Sequence, residues 1–473
     1  MENQKTKTDR FSNYVRIIKS AIKGEEYDYT AINLRKAIVL LAIPMMLELA
    51  LESVFAVVDI YFVNKLGIHA TSVVGLTESV ITVVYAVSIG LSAAATATIA
   101  RRVGEKNNVA ASKAGAQAIF LAIVISILMA IPGFIYAKDI LQLMGAEPQA
   151  IEEGLVYTQI MFGGNLVIIL LFLINGVFRG AGNASIAMRS LWIANFFNIA
   201  LDPLLIFGFA FIPALGIKGA AIATVAGRSI GVLYQLYHLW KSTRILKIKL
   251  RQFIPDTSVL KGLVSIASPA TLQFIIAIAS WIFLAAMVAE YGSAASAGYQ
   301  TAIRLVMFFI LPAWGMSNAV ATLVGQNLGA KEYNRAEESV KITAKFNVSF
   351  MVLVTLFIFL FATPVVDFFV PDNEKDQLEY AVSALKIISG GYIFYGLGMV
   401  LTQAFNGAGD TKTPTWVNFF GFWMFQIPFA YVLHKYTSMG PSGVFLTVPV
   451  AETFIAIAAL VMFRKGKWKQ VKV

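Results

Sequence analysis

The sequence predicts an all-α polytopic membrane protein with twelve transmembrane helices in two six-helix lobes. Of its 473 residues, 58% are hydrophobic and only 14% are charged, which is far from the composition of soluble globular proteins. Apolar runs of about 20 residues, the length that crosses a hydrocarbon core of roughly 30 Å, follow one another almost to the C-terminus. The net charge of +11 comes from Lys and Arg crowded into alternate loops, a membrane topology signal that argues against a nucleic-acid partner.

A polar segment, residues 1–36, precedes the first apolar run, so no cleavable signal peptide is expected. Within this segment Phe11, Val15, Ile18 and Ile22 fall on one helical face, which predicts an amphipathic helix on the membrane surface. The twelve predicted spans are 37–63, 72–98, 114–137, 151–177, 189–211, 218–240, 262–289, 295–324, 342–362, 380–405, 414–434 and 442–463.

The distribution of basic residues predicts the topology. The two tails and the even-numbered loops hold about 30 of the 38 Lys and Arg residues, and basic loops stay in the cytoplasm. Both termini are therefore predicted to be cytoplasmic. The predicted segments are the cytoplasmic N-terminal segment 1–36, an N-lobe 37–240, a cytoplasmic linker 241–261, a C-lobe 262–463 and a basic cytoplasmic tail 464–473.

The two halves of the chain are internal repeats. A shift of 225 residues superposes Pro44 on Pro269 and Gly104 on Gly329, and a further slip of two residues lays FRGAGN over FNGAGD. An even number of spans keeps both copies in the same orientation. The sequence therefore predicts two lobes related by a pseudo-twofold axis along the membrane normal, with the transport path between them or within a lobe.

The first span carries an acidic stripe. Glu48, Glu52 and Asp59 return to one helical face at about 100° per residue. A carboxylate at bilayer depth is costly unless it faces a cavity, binds a cation or takes up a proton, so the stripe is a predicted functional site. The alternative is that the two glutamates are neutral, hydrogen-bonded packing residues. The repeat shift puts no acid at the matching positions, so ion chemistry is predicted to concentrate in the N-lobe.

The fifth span places Asn195, Asn198 and Asp202 on one face, with Pro203 directly after them. Proline removes a helix hydrogen bond and can free a carbonyl. Hard oxygen ligands suit Na⁺, and two close carboxylates suit proton uptake, so the residues permit either coupling ion. The alternative is that Asp202 caps a broken helix and that the asparagines join neighbouring helices.

Further polar residues at span depth are open to more than one interpretation. Glu78 lies near a span end, where water can solvate it. Arg304 and Glu452 form either a structural pair or part of a C-lobe cavity wall, and the sequence does not choose between these.

No catalytic motif is present in the sequence. His69, His238 and His434 lie near span ends without metal-binding spacing, and the GAGDTKT stretch from Gly407 lacks the spacing of a Walker motif. The chain has no cysteine, which excludes disulfides and thiolate metal sites. We therefore expect a protein that is not an enzyme and has no cofactor, driven by an ion gradient.

Together these features resemble the multidrug and toxic compound extrusion (MATE) family of secondary transporters. The resemblance covers residues 36–463 and rests on the repeat, the VVD of residues 57–59, the R-G-A-G turn after span four and the N-x-x-x-D-P of span five. Within this family the sequence looks most like the DinF-like branch. It departs from the NorM-like branch, which has an acid in span seven, because Gln273 and Ala277 stand there instead.

The resemblance implies roles for particular residues. Six residues are expected to couple the ion: Asp59, Asn198, Asp202, Asn175, Glu52 and Thr224. If the ion is Na⁺, it would bind at Asp59, Asn198 and Asp202. The residues expected at the substrate cavity are Tyr157, Glu48, Glu78 and Asn195. Pro44 matches the proline at which the first helix of that branch is thought to bend, so it is the expected hinge.

The expected function is secondary active multidrug efflux, in which inward flow of H⁺ or Na⁺ drives export of amphipathic compounds, above all cationic ones. The expected setting is a monomer in the lipid bilayer of a bacterial plasma (inner) membrane. The alternative is a flippase for a lipid-linked saccharide precursor. A flippase would favour a cationic cavity, and the predicted spans offer few basic residues, chiefly Arg228, Arg304 and Lys386.

Overall fold

The structure, a computed structural model, describes residues 15–209, 212–241, 246–370 and 374–473, without the side chains of residues 55–57, 59, 60, 64 and 68. The first half forms helices α1 (15–23), α2 (Leu34–Asn64), α3 (Ile68–Gly104), α4 (Asn108–Ile135), α5 (Ala137–Leu143), α6 (Pro148–Gly163), α7 (Asn165–Gly180), α8 (Ala184–Ile206) and α9 (Ile217–Lys241). The second half forms α10 (Thr257–Ala289), α11 (Ser293–Gly329), α12 (Tyr333–Asp367), α13 (Lys375–Ser389), α14 (Tyr392–Ala408), α15 (Lys412–Asn418), a π-helical segment (Phe419–Gln426), α16 (Ile427–Tyr436) and α17 (Pro441–Arg464).

The helices of the described residues account for the twelve predicted spans. Nine of them are long and apolar enough to cross a membrane, counting Lys412–Tyr436 as one, and two bent pairs can each form one more span. Helix α9 is less apolar, but its 25 residues pack against α6, α7 and α8 inside the bundle. The predicted all-α architecture is therefore the one that the structure has.

The sequence predicts single helices for span four (151–177) and span ten (380–405), but both spans are broken in the structure. The first break bends the chain by 40° between α6 and α7, and the second by 54° between α13 and α14. Both breaks fall at a glycine pair, and glycine is a poor helix former. A Cβ atom at Gly164 or Gly391 would lie 2.5 Å from Val225 or Pro449, respectively, so a neighbouring helix packs closely against each break.

Helices of opposite lobes pair across the middle of the molecule. Helix α2 packs against α11, and α3 packs against α10, so the two main contacts are related by the internal repeat. The glycines matched by the repeat let the backbones touch. A Cβ atom at Gly104 would lie 1.9 Å from the carbonyl oxygen of Gln326, and one at Gly329 would lie 2.2 Å from that of Arg101. The lobes are therefore closed against each other at the C-terminal ends of α3 and α11.

The segment that follows α1 and the C-terminal residues lie at this closed end, where Arg101 donates a hydrogen bond to the carbonyl of Val471 at 3.0 Å. Arg189 of the N-lobe donates a hydrogen bond to the carbonyl of Ile22 at 2.7 Å, and Arg335 of the C-lobe donates to the carbonyls of Tyr29 and Ile32. The segment between α1 and α2 therefore contacts both lobes. Ile18 and Ile22 of α1, two residues of the predicted amphipathic face, are exposed, whereas Phe11 lies outside the described residues.

The predicted linker is docked against α4, although residues 242–245 lie outside the described part of the chain. The side chain of Gln117 donates to the carbonyl of Gln252 at 2.7 Å and accepts from the amide of Asp256 at 2.9 Å. Lys113 donates to the Asp256 carboxylate at 2.5 Å. Asp256 also caps α10, because its Oδ1 accepts hydrogen bonds from the first backbone amides of that helix.

Candidate ion and substrate site

Glu48 lies at the centre of a buried polar network. It is 2% exposed, and its Oε1 accepts a hydrogen bond from Asn175 at 3.0 Å and lies 3.6 Å from the guanidinium of Arg179. Its other oxygen, Oε2, is buried and receives no hydrogen bond from the described residues. Asn175 in turn accepts hydrogen bonds from Ser190 and Gln235. The network therefore joins α2 to α7, α8 and α9.

Glu52 lies one turn further along α2 with a separate set of partners. Its carboxylate accepts a hydrogen bond from Asn195 at 3.1 Å and lies 3.9 Å from Arg228. Arg228 also donates to the hydroxyl of Tyr85 at 2.8 Å. Each glutamate of the stripe thus has an amide donor and an arginine nearby. An arginine supplies the counter-charge that an ionised buried carboxylate needs, so the arrangement fits the charged interpretation of both glutamates.

A second polar cluster lies between α8 and α9. Asp202 is 0% exposed, and Asn198, one turn before it, donates to the hydroxyl of Thr224 at 3.2 Å. The carbonyl oxygen of the Asn198 side chain is buried and accepts no hydrogen bond from the described residues. Helix α8 continues through Pro203 to Ile206. Asp202 is therefore not the cap of a broken helix, and the alternative interpretation of this residue is wrong.

The remaining predicted site residues lie at various depths. The side chain of Asp59 lies outside the described part of the structure. Tyr157 is buried on α6, whereas Glu78 is exposed on α3. Pro44 lies inside α2, which runs without interruption from Leu34 to Asn64.

A central cavity of about 230 Å³ lies between the lobes. Glu48 and Glu52 reach its wall from the N-lobe, together with Arg179. Tyr157, Glu78 and Asn195 are not among the residues that line it. The aromatic side chains in its wall come from both lobes: Tyr85, Phe172, Phe274 and Trp314.

Sequence reasoning missed the arginines and most of the cavity wall. The R-G-A-G turn predicted after span four includes Arg179, but this residue lies in the last turn of α7 and its side chain reaches Glu48. A basic residue within one turn of a span end can point back into the bundle, and this was the available signal. The aromatic wall gave no such signal, because phenylalanine and tryptophan are common on lipid-facing surfaces as well.

The C-lobe has no comparable acidic network among its described residues. Arg304 is exposed on α11, and Glu452 is buried on α17. The described ion pairs do not join them, so the interpretation of these two residues as a structural pair is wrong. Within the described residues, no three His, Asp or Glu side chains are grouped as a metal-ion site.

Two pseudo-symmetric helical lobes around a central cavity, with ionisable groups at membrane depth, define a membrane transporter. A family model described as MatE matches residues 44–204 and 269–432, one segment in each repeat. The chain therefore belongs to the MatE family. The predicted fold class is confirmed, and the protein is a transporter, not an enzyme.

Similar proteins cover nearly the whole chain. "Probable multidrug resistance protein NorM" of Thermotoga maritima is 28% identical over 444 residues, 92% of this chain and 94% of that protein. "Multidrug export protein MepA" of Staphylococcus aureus is 24% identical over 428 residues, 90% of this chain and 93% of that protein. A solved structure described as MATE in complex with MaL6 has a TM-score of 0.88 at 26% identity and covers 94% of this chain and 99% of that one.

Proposed function

We propose that this protein is a secondary active multidrug efflux transporter that exports amphipathic, preferably cationic, compounds in antiport with H⁺ or Na⁺. The observation that carries this proposal is that Glu48 and Glu52 belong both to the central cavity wall and to the buried polar network of the N-lobe. A change of charge or protonation in that network would therefore alter the cavity directly. The names of the similar proteins support multidrug export.

The coupling ion acts on the N-lobe in this proposal. Asp202 is a fully buried carboxyl group, and the neighbouring Asn198 has a free carbonyl oxygen within the described residues. Carboxylate and amide oxygens suit a proton or a sodium ion. Asp59, Asn175 and Thr224 complete the proposed coupling set, as the resemblance implies. No cofactor is needed, because the ion gradient supplies the driving force.

The composition of the cavity wall supports an amphipathic substrate with a positive charge. Two glutamates and one arginine, Arg179, are the charged residues of the wall among those described, so acidic side chains outnumber basic ones at its surface, and Arg228 lies 3.9 Å from Glu52. Its aromatic rings offer apolar contact and cation–π attraction. A lipid-linked pyrophosphate would need the opposite charge balance, which makes the flippase the weaker alternative.

The protein would act as a monomer in the lipid bilayer of a bacterial inner membrane, with both termini in the cytoplasm. In that orientation the closed end of the molecule faces the cytoplasm.

The deciding experiment is gradient-driven dye efflux from cells or vesicles that contain the full chain. We expect export of a cationic dye to fall when the proton or the sodium gradient is collapsed, and the gradient that matters identifies the ion. Efflux that is indifferent to both gradients would contradict the proposal. Translocation of a lipid-linked saccharide in the same vesicles, without dye export, would establish the alternative.

Pro44 is the proposed hinge through which ion binding reshapes the cavity. Proline removes a helix hydrogen bond and crowds the carbonyl one turn back. Pro269 of α10 occupies the matching position in the repeat and supplies a matched control. We expect Pro44→Ala to lose the ion-dependent change in dye affinity, whereas Pro269→Ala keeps it. Equal behaviour of the two variants would make Pro44 a packing residue.

A further inference from the structure

The C-lobe contains one buried carboxylate that the proposed function does not use. Glu452 lies midway along α17 and is 7% exposed. The described residues give it neither a hydrogen bond nor an ion pair. An ionised carboxylate in such a place is costly unless it is neutralised, so this side chain requires an explanation.

The surroundings of Glu452 form a small pocket lined by Trp281, Ile310, Ile388, Gly391, Tyr392, Tyr395, Val448 and Pro449. Every charged or titratable group in this wall apart from Glu452 is a tyrosine of α14. The hydroxyl of Tyr392, a residue only 1% exposed, is buried and has no hydrogen-bond partner among the described residues. Tyr392 and Glu452, neither of which has a described side-chain hydrogen bond, therefore line the same small pocket.

The pocket lies at the broken helix of the C-lobe. Gly391, at the 54° break between α13 and α14, belongs to its wall. Discontinuous membrane helices commonly border the ion sites of transporters. The break thus places a typical ion-site element beside Glu452.

The internal repeat shows what occupies the matching place in the N-lobe. A shift of 224 residues superposes Gly216 on Gly440 and Gly219 on Gly443, and it puts Arg228 on Glu452. Gly216 precedes α9 and Gly440 precedes α17, and the two glycines have similar positive φ angles, 56° and 61°. Matching positions of the two lobes therefore carry opposite charges, and Arg228 is partnered by Tyr85 and Glu52.

We propose that Glu452 is a proton-binding site of the C-lobe, separate from the N-lobe coupling residues, which takes up and releases one proton as the lobe changes conformation. Water supplies the proton and takes it back, and the O–H bond forms on the carboxylate of Glu452. This inference goes beyond the proposed function, because it assigns a second titrating group.

A proton fits the site better than a metal cation. The pocket holds about 10 Å³ of free space, which is roughly the room of one water molecule. Only one carboxylate faces it, and the rest of the wall is apolar apart from the tyrosines. Sodium needs several hard oxygen ligands, whereas a proton needs one carboxylate and gains from a neighbouring hydroxyl.

Infrared difference spectroscopy between acidic and alkaline pH tests the proposal on the full chain in lipid membranes without substrate. We expect a protonated carboxyl band that titrates in wild type, is lost in Glu452→Gln and is retained in Glu374→Gln, which changes an exposed residue. A band that is the same in Glu452→Gln would overturn the proposal. So would a Glu452 band that does not respond to pH, because Glu452 would then be a neutral packing residue.

A second variant keeps the test decisive if Glu452→Gln does not fold. Tyr392→Phe removes only the unpaired hydroxyl, and we expect it to move the midpoint of the carboxyl band that titrates in wild type by about half a pH unit or more. Tyr436→Phe changes an exposed tyrosine and should leave the midpoint unchanged. Equal midpoints in the two variants would count against the site. Because no transport is measured, failure here leaves the efflux proposal intact.

Discussion

The two lobes of this transporter have matching helices but different charges. In the N-lobe, Glu48 and Glu52 each lie near an arginine, Arg179 and Arg228, respectively. In the C-lobe, Glu452 has no ion-pair partner among the described residues and shares a small pocket with Tyr392 and Tyr395. The helix breaks and the interlobe glycines nevertheless recur in both halves. The helical scaffold is therefore separable from the ion chemistry, and each lobe can be tuned without rebuilding the fold.

The largest expected effect comes from removing Asp202, a fully buried acid of the N-lobe. Asp202→Asn keeps the size of the side chain but can neither bind a proton at neutral pH nor neutralise a cation. We expect gradient-driven dye export to fall by about 10- to 100-fold, with normal insertion in the membrane. Asp376→Asn, which changes an exposed C-lobe acid, should export normally. Near-normal export by Asp202→Asn would contradict the N-lobe assignment.

The next largest effect should come from the arginine that neutralises Glu48. Arg179→Met leaves a buried carboxylate without its counter-charge, which typically destabilises a protein by about 3–5 kcal/mol. Thermal unfolding of the purified protein measures the loss. The double variant Glu48→Gln/Arg179→Met should recover much of it, because the uncompensated charge is gone. Additive losses in the double variant would show that the two residues act independently.

The interlobe glycines offer a test that should affect both halves alike. A Cβ atom at Gly104 would overlap the backbone of Gln326, and one at Gly329 would overlap that of Arg101. Overpacking of this kind costs about 1–3 kcal/mol, so both alanine variants should melt at a lower temperature. Gly75→Ala in α3 meets nothing within 4 Å and should not lower the melting temperature. Unchanged melting of Gly104→Ala would contradict the close crossing.

The smallest expected effect concerns the linker that joins the lobes. The hydrogen bond from Lys113 lowers the pKa of Asp256 below its ordinary value of 3.8. A lowered pKa stabilises the folded state above that value, and the contribution is lost as the pH falls through the folded-state pKa. We expect Asp256→Asn to weaken the acid dependence of the melting temperature slightly, measured against Asp367→Asn, which changes an exposed residue. An identical pH profile in the two variants would exclude this contribution.

The sequence predicts the fold well because each span repeats the same physical signal. Long apolar runs and matching glycines identify the helices and the repeat before any contact is known. The acidic stripe was equally visible, since three carboxylates in an apolar helix are costly. The breaks at Gly163–Gly164 and Gly390–Gly391 were missed, because glycine pairs also occur within continuous membrane helices.

The site was only partly predictable, because its partners are distant in sequence. Arg179 reaches Glu48 across 131 positions of the chain, and no local pattern encodes such a meeting. The cavity wall combines Phe172 with Phe274 and Trp314 from the other lobe, so it exists only after the lobes are packed together. Glu78, whose position near a span end left solvation by water open, is exposed.

The glycine crossing at the closed end bears on how a duplicated chain can diverge. Gly104 touches the helix of Gly329, and Gly329 touches the helix of Gly104, so a larger residue at either position disturbs both copies of the repeat. Glu52 and its counterpart Ala277 are under no such mutual constraint. A duplication that began with two identical halves could therefore lose or reverse charges in one copy while the crossing glycines persisted in both.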